Sequence, residues 1–139
     1  FEFLPQNMQG LICQDFGNIK KNEMISYLKV LTLYRNVCAH NERLFSFHTY
    51  IDIPDTLIHK RLNIPKNGSK YICGKNDLFC VVIAFRYLLP QPDFLMFKKQ
   101  LVHIFNQYEK KNSNLKLNKL CEYMGFPSNW KHITKFRKI

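Results

Sequence analysis

The sequence predicts an all-α domain, a bundle of helices with one long irregular basic loop. Its 139 residues are 46% hydrophobic and 22% charged, which is typical of a single packed domain covering residues 1–139. Apolar residues recur at helical spacing in stretches that lack glycine and proline. Two glycines and two prolines fall instead within Phe47–Lys75, and they predict the irregular segment.

The amino-terminal third predicts a frayed helix end followed by one long helix. Residues 1–17 are apolar but contain Pro5 and Gly10, as expected near the end of a helix. No glycine or proline interrupts the range from about Asn22 to Leu44, which predicts an amphipathic helix. Its apolar residues recur at spacings near three, four and seven: Ile25, Leu28, Leu31 and Cys38. We expect Cys38 on the buried side of this helix.

The middle of the chain predicts the irregular segment and the most buried helix. Phe47–Lys75 carries several basic residues and predicts a long loop or a short hairpin around Asn67-Gly68. A second helix runs from a cap at Asn76 or Asp77 to Leu89, where Pro90 stops it. This helix is apolar nearly all round, so we expect it at the centre of the core.

The last third predicts two more helices and a basic tail. A third helix begins after Pro92, with Asp93 as its cap, and runs to about Lys111. A short fourth helix, Lys116–Met124, ends at a glycine in the position where a left-handed cap is usual. The tail Phe126–Ile139 contains one tryptophan and several basic side chains.

Polar side chains gather on one side of the long helix. At roughly 100° per residue, Arg35, Asn36, His40 and Arg43 project into one wedge, and Lys29 falls into the same wedge. The opposite side is apolar and holds Tyr27, Val30, Leu31, Tyr34, Val37 and Cys38. The wedge can therefore line a groove or an interface.

The residue types in this wedge suit the cleavage of RNA. An imidazole exchanges a proton near neutrality, and a guanidinium can hold two phosphate oxygens at once. Because Glu42 projects elsewhere, no carboxylate shares the wedge, which disfavours a two-metal nuclease. We expect no metal and no other cofactor. The ribose 2′-hydroxyl would attack the phosphate, His40 would move a proton and Arg35 would stabilise the developing charge, leaving a 2′,3′-cyclic phosphate and a 5′-hydroxyl.

This reaction needs both a base and an acid, but the wedge offers one histidine. A two-fold homodimer that pairs two copies of the helix would supply a second Arg35 and a second His40. If an obligate monomer cut RNA at full rate, this composite site would be wrong. RNA is the expected partner because the formal net charge is +11. Arg43, Lys29, Lys60 and Arg61 are the candidate phosphate contacts.

Three segments resemble a known family of defence proteins. Arg35, Asn36 and His40 resemble the arginine, polar residue and histidine signature of HEPN-superfamily ribonucleases. The longer stretch Tyr34–Leu44 resembles the carboxyl-terminal half of Abi-family abortive-infection proteins, and Gly74–Phe79 and Gly125–Trp130 resemble segments of the same family. Relatives often carry a second histidine where this chain has Asn41.

The resemblance implies a HEPN-like helical bundle, RNA cleavage in phage defence or a toxin-like system, and dimerisation around the motif. It also implies Arg35, Asn36 and His40 as the catalytic residues, and restraint by an antitoxin or a regulatory RNA. Members of the family are longer at the amino end, and this chain begins at Phe1, so we expect it to be the carboxyl-terminal part of a longer protein.

Two other functions and one structural alternative stay open. The domain could be a catalytically silent module that binds RNA or a partner toxin, or a scaffold for dimerisation only. Alternatively, Asn36 and His40 could form a buried polar network that holds the helix against its neighbour.

Several classes of protein are disfavoured. The longest apolar run, Leu78–Leu89, is too short to span a bilayer and contains Arg86, so we expect no membrane association. Five scattered cysteines argue against a disulfide framework and indicate a reducing cytoplasm. The spacing of Cys73 and Cys80 does not fit a zinc knuckle.

Overall fold

The computed structural model describes residues 1–111 and 116–136, and this part of the chain is mostly helical. Its α-helices are α1 (Gln6–Asp15), α2 (Lys21–Ala39), α3 (Leu57–Arg61), α4 (Leu78–Leu88), α5 (Gln91–Lys111) and α6 (Leu117–Tyr123). Two 3-10 helices (Leu44–Ser46 and Trp130–Lys135) and a hairpin of β1 (Lys66–Asn67) and β2 (Lys70–Tyr71) complete it. The all-α prediction is confirmed. The end of the basic tail, residues 137–139, lies outside the described residues.

Helix α4 forms the centre of the core, as its sequence predicts. The residues from Phe79 to Ala84 are all buried, and the helix begins and ends where expected. The Asp77 carboxylate caps it by accepting hydrogen bonds from the backbone N–H of Cys80 (3.2 Å) and of Gly74 (2.8 Å). Leu89 ends the helix directly before Pro90.

Helix α2 packs antiparallel on α4 through the apolar side of its amphipathic pattern. None of the four residues named for the predicted spacing is fully buried; the buried residues of α2 are Met24, Tyr27, Val30, Tyr34 and Val37. The Tyr27 ring stacks on Tyr87 at the carboxyl end of α4, with 5.6 Å between ring centroids. The Tyr34 hydroxyl donates to the backbone oxygen of Phe47 (2.9 Å) and lies 3.3 Å from that of Asn76, just before α4 begins. Cys38 is exposed, so the prediction of its burial is wrong.

Helix α2 ends at Ala39, five residues before the predicted end at Leu44. His40 is its carboxyl cap, and Asn41 adopts a left-handed conformation with φ of 54°. The N–H of Asn41 donates to the Cys38 oxygen (3.2 Å) and that of Glu42 to the Val37 oxygen (3.0 Å). These two bonds form a Schellman motif, in which asparagine replaces the usual glycine.

The segment predicted as a loop or hairpin contains both a hairpin and an unpredicted helix. The strands β1 and β2 pair antiparallel through Lys66 with Tyr71 and Asn67 with Lys70, which confirms the hairpin. Helix α3 was missed because it is only five residues long. It is held in place by tertiary contacts of His59, whose Nε2 lies 2.9 Å from the Gly74 oxygen.

Helices α5 and α6 close the other side of α4. Helix α5 begins at Gln91, so Pro92 and Asp93 lie within its first turn and Asp93 is not its cap. Helix α6 ends as predicted at Gly125, whose φ is 80°. A Cβ atom at this glycine would lie 2.1 Å from the Asp77 Cγ, so the close approach of α6 to the cap of α4 requires glycine.

Candidate functional site

The predicted catalytic residues lie together at the carboxyl end of α2. Arg35 and Asn36 are on the last two turns and His40 caps the helix, and all three side chains are exposed. They are held in place from behind by Tyr34 and Val37, which are buried against the core. Within residues 1–111 and 116–136, no hydrogen bond or ion pair engages the side chains of Arg35, Asn36 or His40. The three polar groups are therefore available to a ligand.

This exposure contradicts the structural alternative for Asn36 and His40. A buried polar network requires both side chains to be sealed from water, but both are exposed. That interpretation is wrong, and the reason is the early end of α2. The Schellman motif places His40 at the last position of the helix, where it projects into solvent rather than against a neighbouring helix.

Arg43 does not share the helical wedge in the way predicted. It follows the turn at Asn41 and precedes the 3-10 helix Leu44–Ser46, with an extended backbone. Helical spacing therefore does not fix its position relative to Arg35. Arg43 is exposed and close to His40 along the chain, so it remains a candidate phosphate contact.

The other predicted RNA contacts are more dispersed. Lys29 lies on α2, but its Nζ pairs with a carboxylate oxygen of Glu2 at 3.1 Å. Lys60 and Arg61 are exposed on α3, and the Arg61 guanidinium carbon lies 5.9 Å from the centroid of the Phe136 ring.

Arg61 lies away from the Arg35 end of the molecule. The backbone oxygen of Phe136, its ring partner, accepts a hydrogen bond from Arg86 near the carboxyl end of α4. Arg35 follows Tyr34, which meets the amino end of α4. Because the eleven residues of α4 span roughly 16 Å, the structure does not bring Arg61 together with Arg35 and His40.

An apolar cleft, which we did not predict from the sequence, adjoins Arg35. The cleft has a volume of about 590 Å³ and lies between α2, α4 and α5. The residues that line the cleft come mainly from these three helices: Leu28, Leu31, Thr32, Tyr34, Arg35, Cys38, Leu44, Leu78, Val81, Val82, Phe85, Phe97, Leu101 and Phe126. Most of its walls are aliphatic or aromatic, and Arg35 is the charged residue among them. The signal in the sequence was that α2 is apolar over more than one face, since Leu28 and Leu31 lie outside its fully buried stripe.

A second cleft, which is more polar, lies between the hairpin and the segment before α4. It has a volume of about 380 Å³, and His48, Asn76 and Asp77 are among the residues that line it. Burial raises the pKa of Asp77 to about 6, although its hydrogen bonds from the N–H groups of Gly74 and Cys80 lower it. Because both carboxylate oxygens accept backbone hydrogen bonds, Asp77 acts here as the cap of α4.

The described part of the chain contains neither a group of side chains suited to a metal ion nor a helix suited to crossing a membrane. Within residues 1–111 and 116–136, no group of three or more His, Cys, Asp or Glu side chains is arranged to hold a metal ion. No helix in the same residues has both the length and the apolar character that crossing a bilayer requires.

Comparison with known proteins finds one matching family model. Residues 1–46, about a third of the chain, match the family model described as Abi-like protein, and this range includes Arg35, Asn36 and His40. The match confirms the predicted Abi-family resemblance over these residues. It does not extend to Gly74–Phe79 or Gly125–Trp130, whose resemblance stays a prediction. No curated protein and no solved structure matches the chain.

Proposed function

From the match of residues 1–46 to Abi-like proteins, we propose that the protein acts in the bacterial cytoplasm as an abortive-infection factor that cuts RNA. The proposed activity is that of a metal-independent endoribonuclease of the HEPN type, working as a homodimer. The observation that carries the proposal is the exposure of Arg35, Asn36 and His40 at one helix end, with no partner among the described residues.

The chemistry follows from these three groups. One imidazole accepts the proton of the ribose 2′-hydroxyl as its oxygen attacks the neighbouring phosphorus. The Arg35 guanidinium holds the phosphate oxygens while negative charge develops on them, and the Asn36 amide can donate to the same group. A second imidazole, His40 of another copy of the chain, gives a proton to the departing 5′-oxygen. The balanced products are a 2′,3′-cyclic phosphate and a 5′-hydroxyl.

Cleavage of RNA in the presence of a chelator tests the proposal. We expect the protein to cut RNA and to leave DNA of equal sequence intact, because DNA lacks the 2′-hydroxyl. Arg35→Gln and His40→Ala should each lower the cleavage rate by 100-fold or more, on the order of the loss expected when a proton-transfer group is removed. His103→Ala, at an exposed position on α5, is the matched control and should cut at the wild-type rate.

The outcome of the same experiment also decides the second candidate function. The surplus of eleven positive charges favours a silent module that holds a regulatory RNA or a partner toxin through phosphate contacts. Such a module would retard RNA and DNA alike in a gel and cut neither. Equal cleavage by the wild type and by His40→Ala, with normal melting temperatures, would contradict the assignment of His40.

A further inference from the structure

The apolar cleft beside Arg35 has the composition of a ligand site rather than of a packing defect. Its volume of about 590 Å³ lies within the range of about 300 to 1,000 Å³ that is usual for small-molecule pockets. Its walls come from three helices and from residues distant in the sequence, from Leu28 on α2 to Phe126 after α6. A ligand with a long apolar part would replace water along these walls, which is favourable.

The polar groups that line this cleft are already committed, with one exception. The Thr32 hydroxyl donates to the Leu28 backbone oxygen at 2.8 Å, and the Tyr34 hydroxyl to that of Phe47 at 2.9 Å. Arg35 is one of the residues that line the cleft, its side chain is exposed, and it has no hydrogen-bond or ion-pair partner within residues 1–111 and 116–136. The cleft therefore offers one cation with several N–H donors and otherwise apolar surface.

This combination selects the chemistry of the occupant. A single guanidinium balances a single negative charge and binds a carboxylate through two parallel hydrogen bonds. An RNA base would lose the hydration of its own polar edge along the apolar walls and find few hydrogen-bond partners there besides Arg35, which is costly. A neutral hydrocarbon would gain no interaction with the exposed Arg35 guanidinium. A carboxylate with one hydrocarbon chain can contact the apolar walls with its chain and pair with Arg35 through its head group.

We propose that the cleft between α2, α4 and α5 binds an amphipathic carboxylate of the fatty-acid type, with its chain along Val81 and Phe85 and its head group on Arg35. The binding does not depend on any activity. One consequence does rest on the proposed function: a guanidinium engaged by a carboxylate is withdrawn from the phosphate of RNA, so the bound ligand restrains cleavage.

Calorimetric titration with decanoate, below its micelle-forming concentration, tests the site. We expect saturable binding of one decanoate per chain at neutral pH. Arg35→Gln should weaken this binding about tenfold or more, because it removes charge-assisted hydrogen bonds to the head group. Arg43→Gln, an exposed arginine outside the cleft, is the matched control and should bind as the wild type does. Decanol should bind equally to the wild type and to Arg35→Gln.

A second variant tests the apolar part of the cleft. Leu101→Trp adds bulk at a half-buried position of the lining and should abolish binding of both decanoate and decanol. If Leu101→Trp fails to fold, Arg35→Gln still tests the contact with the head group, because Arg35 is exposed and its substitution should not disturb the fold. Absence of decanoate binding, or equal binding by the wild type and Arg35→Gln, would overturn the proposal.

The two proposals fail in different ways. A chain that binds decanoate through Arg35 but cuts no RNA keeps the ligand site and loses the nuclease. A chain that cuts RNA through Arg35 and His40 but ignores decanoate loses only the ligand site. If both proposals are correct, decanoate should inhibit RNA cleavage, and half-maximal inhibition should occur at a concentration close to its dissociation constant. Decanol should inhibit more weakly.

Discussion

His59 shows how one buried side chain organises the segment that the sequence left irregular. Its ring is fully buried, stacks on Tyr71 and lies 2.9 Å from the Gly74 oxygen through Nε2. The backbone N–H of Thr56 donates to Nδ1 at 3.1 Å, so Nδ1 is the acceptor and Nε2 carries the proton. A neutral ring therefore satisfies both of its nitrogens, and it joins α3 to the turn before α4.

This arrangement predicts a loss of stability in acid. Burial lowers the pKa of His59 to about 4, from about 6.5 in the unfolded chain. Between these values the unfolded chain binds more protons, so the contribution of His59 is present above pH 6.5 and is lost as the pH falls toward 4. The whole effect is about 3 kcal/mol. His59→Gln should have a lower free energy of unfolding than the wild type at pH 7. This difference should become smaller as the pH falls from 6.5 toward 4.

Urea unfolding at several pH values measures this difference. The buried Asp77 acts in the opposite sense, because its pKa is raised to about 6 and its contribution is lost as the pH rises through that value. Since Asp77 is present in both proteins, the comparison isolates His59. Ile58→Val, at the neighbouring buried position, is the control and should cost about 1 kcal/mol at every pH. A deficit of His59→Gln that does not change with pH would contradict the prediction.

At the scale of elements, the sequence predicted those helices whose ends have a strong local signal. Asp77 and Pro90 bound α4, and the left-handed Gly125 ends α6, so their limits were correct to within one or two residues. The end of α2 was misplaced because Asn41 was not recognised as a left-handed cap, although asparagine is the residue after glycine that adopts this conformation most readily.

Other features of the fold and site arise from contacts between distant residues. Helix α3 is too short to form on its own, and its stability comes from contacts such as that of His59 with Gly74. The apolar cleft depends on how α2, α4 and α5 pack, which periodicity does not specify. The placement of Arg35 and His40 on one exposed side of α2 could be predicted, because it needs only the local pattern of this helix, but the position of His40 at the helix end could not.

The cap at Asn41 predicts a graded effect of substitution on the end of α2. Asn41→Ala keeps a Cβ at φ of 54° but removes the short polar side chain that lets asparagine adopt this conformation, so it should cost about 1 kcal/mol. Asn41→Gly keeps the left-handed turn and should match the wild type or exceed it in stability. Thermal unfolding followed by circular dichroism measures both changes.

The same pair of variants should also affect the candidate site. Fraying at Ala39 would displace the His40 side chain relative to Arg35, so Asn41→Ala should cut RNA more slowly than Asn41→Gly even well below its melting temperature. Ala and Gly variants that are equal in stability would show that the Schellman motif does not hold this helix end.

At the scale of the whole molecule, the proposed nuclease is incomplete as one copy. Each chain presents one Arg35 and one His40 on α2, but the reaction needs a base and an acid. None of the other exposed histidines lies on α2: His48 follows the 3-10 helix Leu44–Ser46, His103 lies on α5, and His132 lies in the 3-10 helix after α6. A second copy of α2 is therefore the simplest source of the second imidazole.

Mixing wild-type and His40→Ala chains tests this requirement without an interface mutation. If each site needs both copies of His40, only wild-type homodimers cut RNA, and activity falls with the square of the wild-type fraction. A mixture with half wild-type chains, allowed to exchange subunits fully, should then retain about a quarter of the activity, because random pairing gives one wild-type pair in four. If each chain acts alone, the same mixture retains half. His103→Ala chains should be fully active, so mixing them with wild-type chains should leave the total activity unchanged and controls for dilution. If the activity of the His40→Ala mixture instead falls linearly with the wild-type fraction, a single copy of α2 suffices.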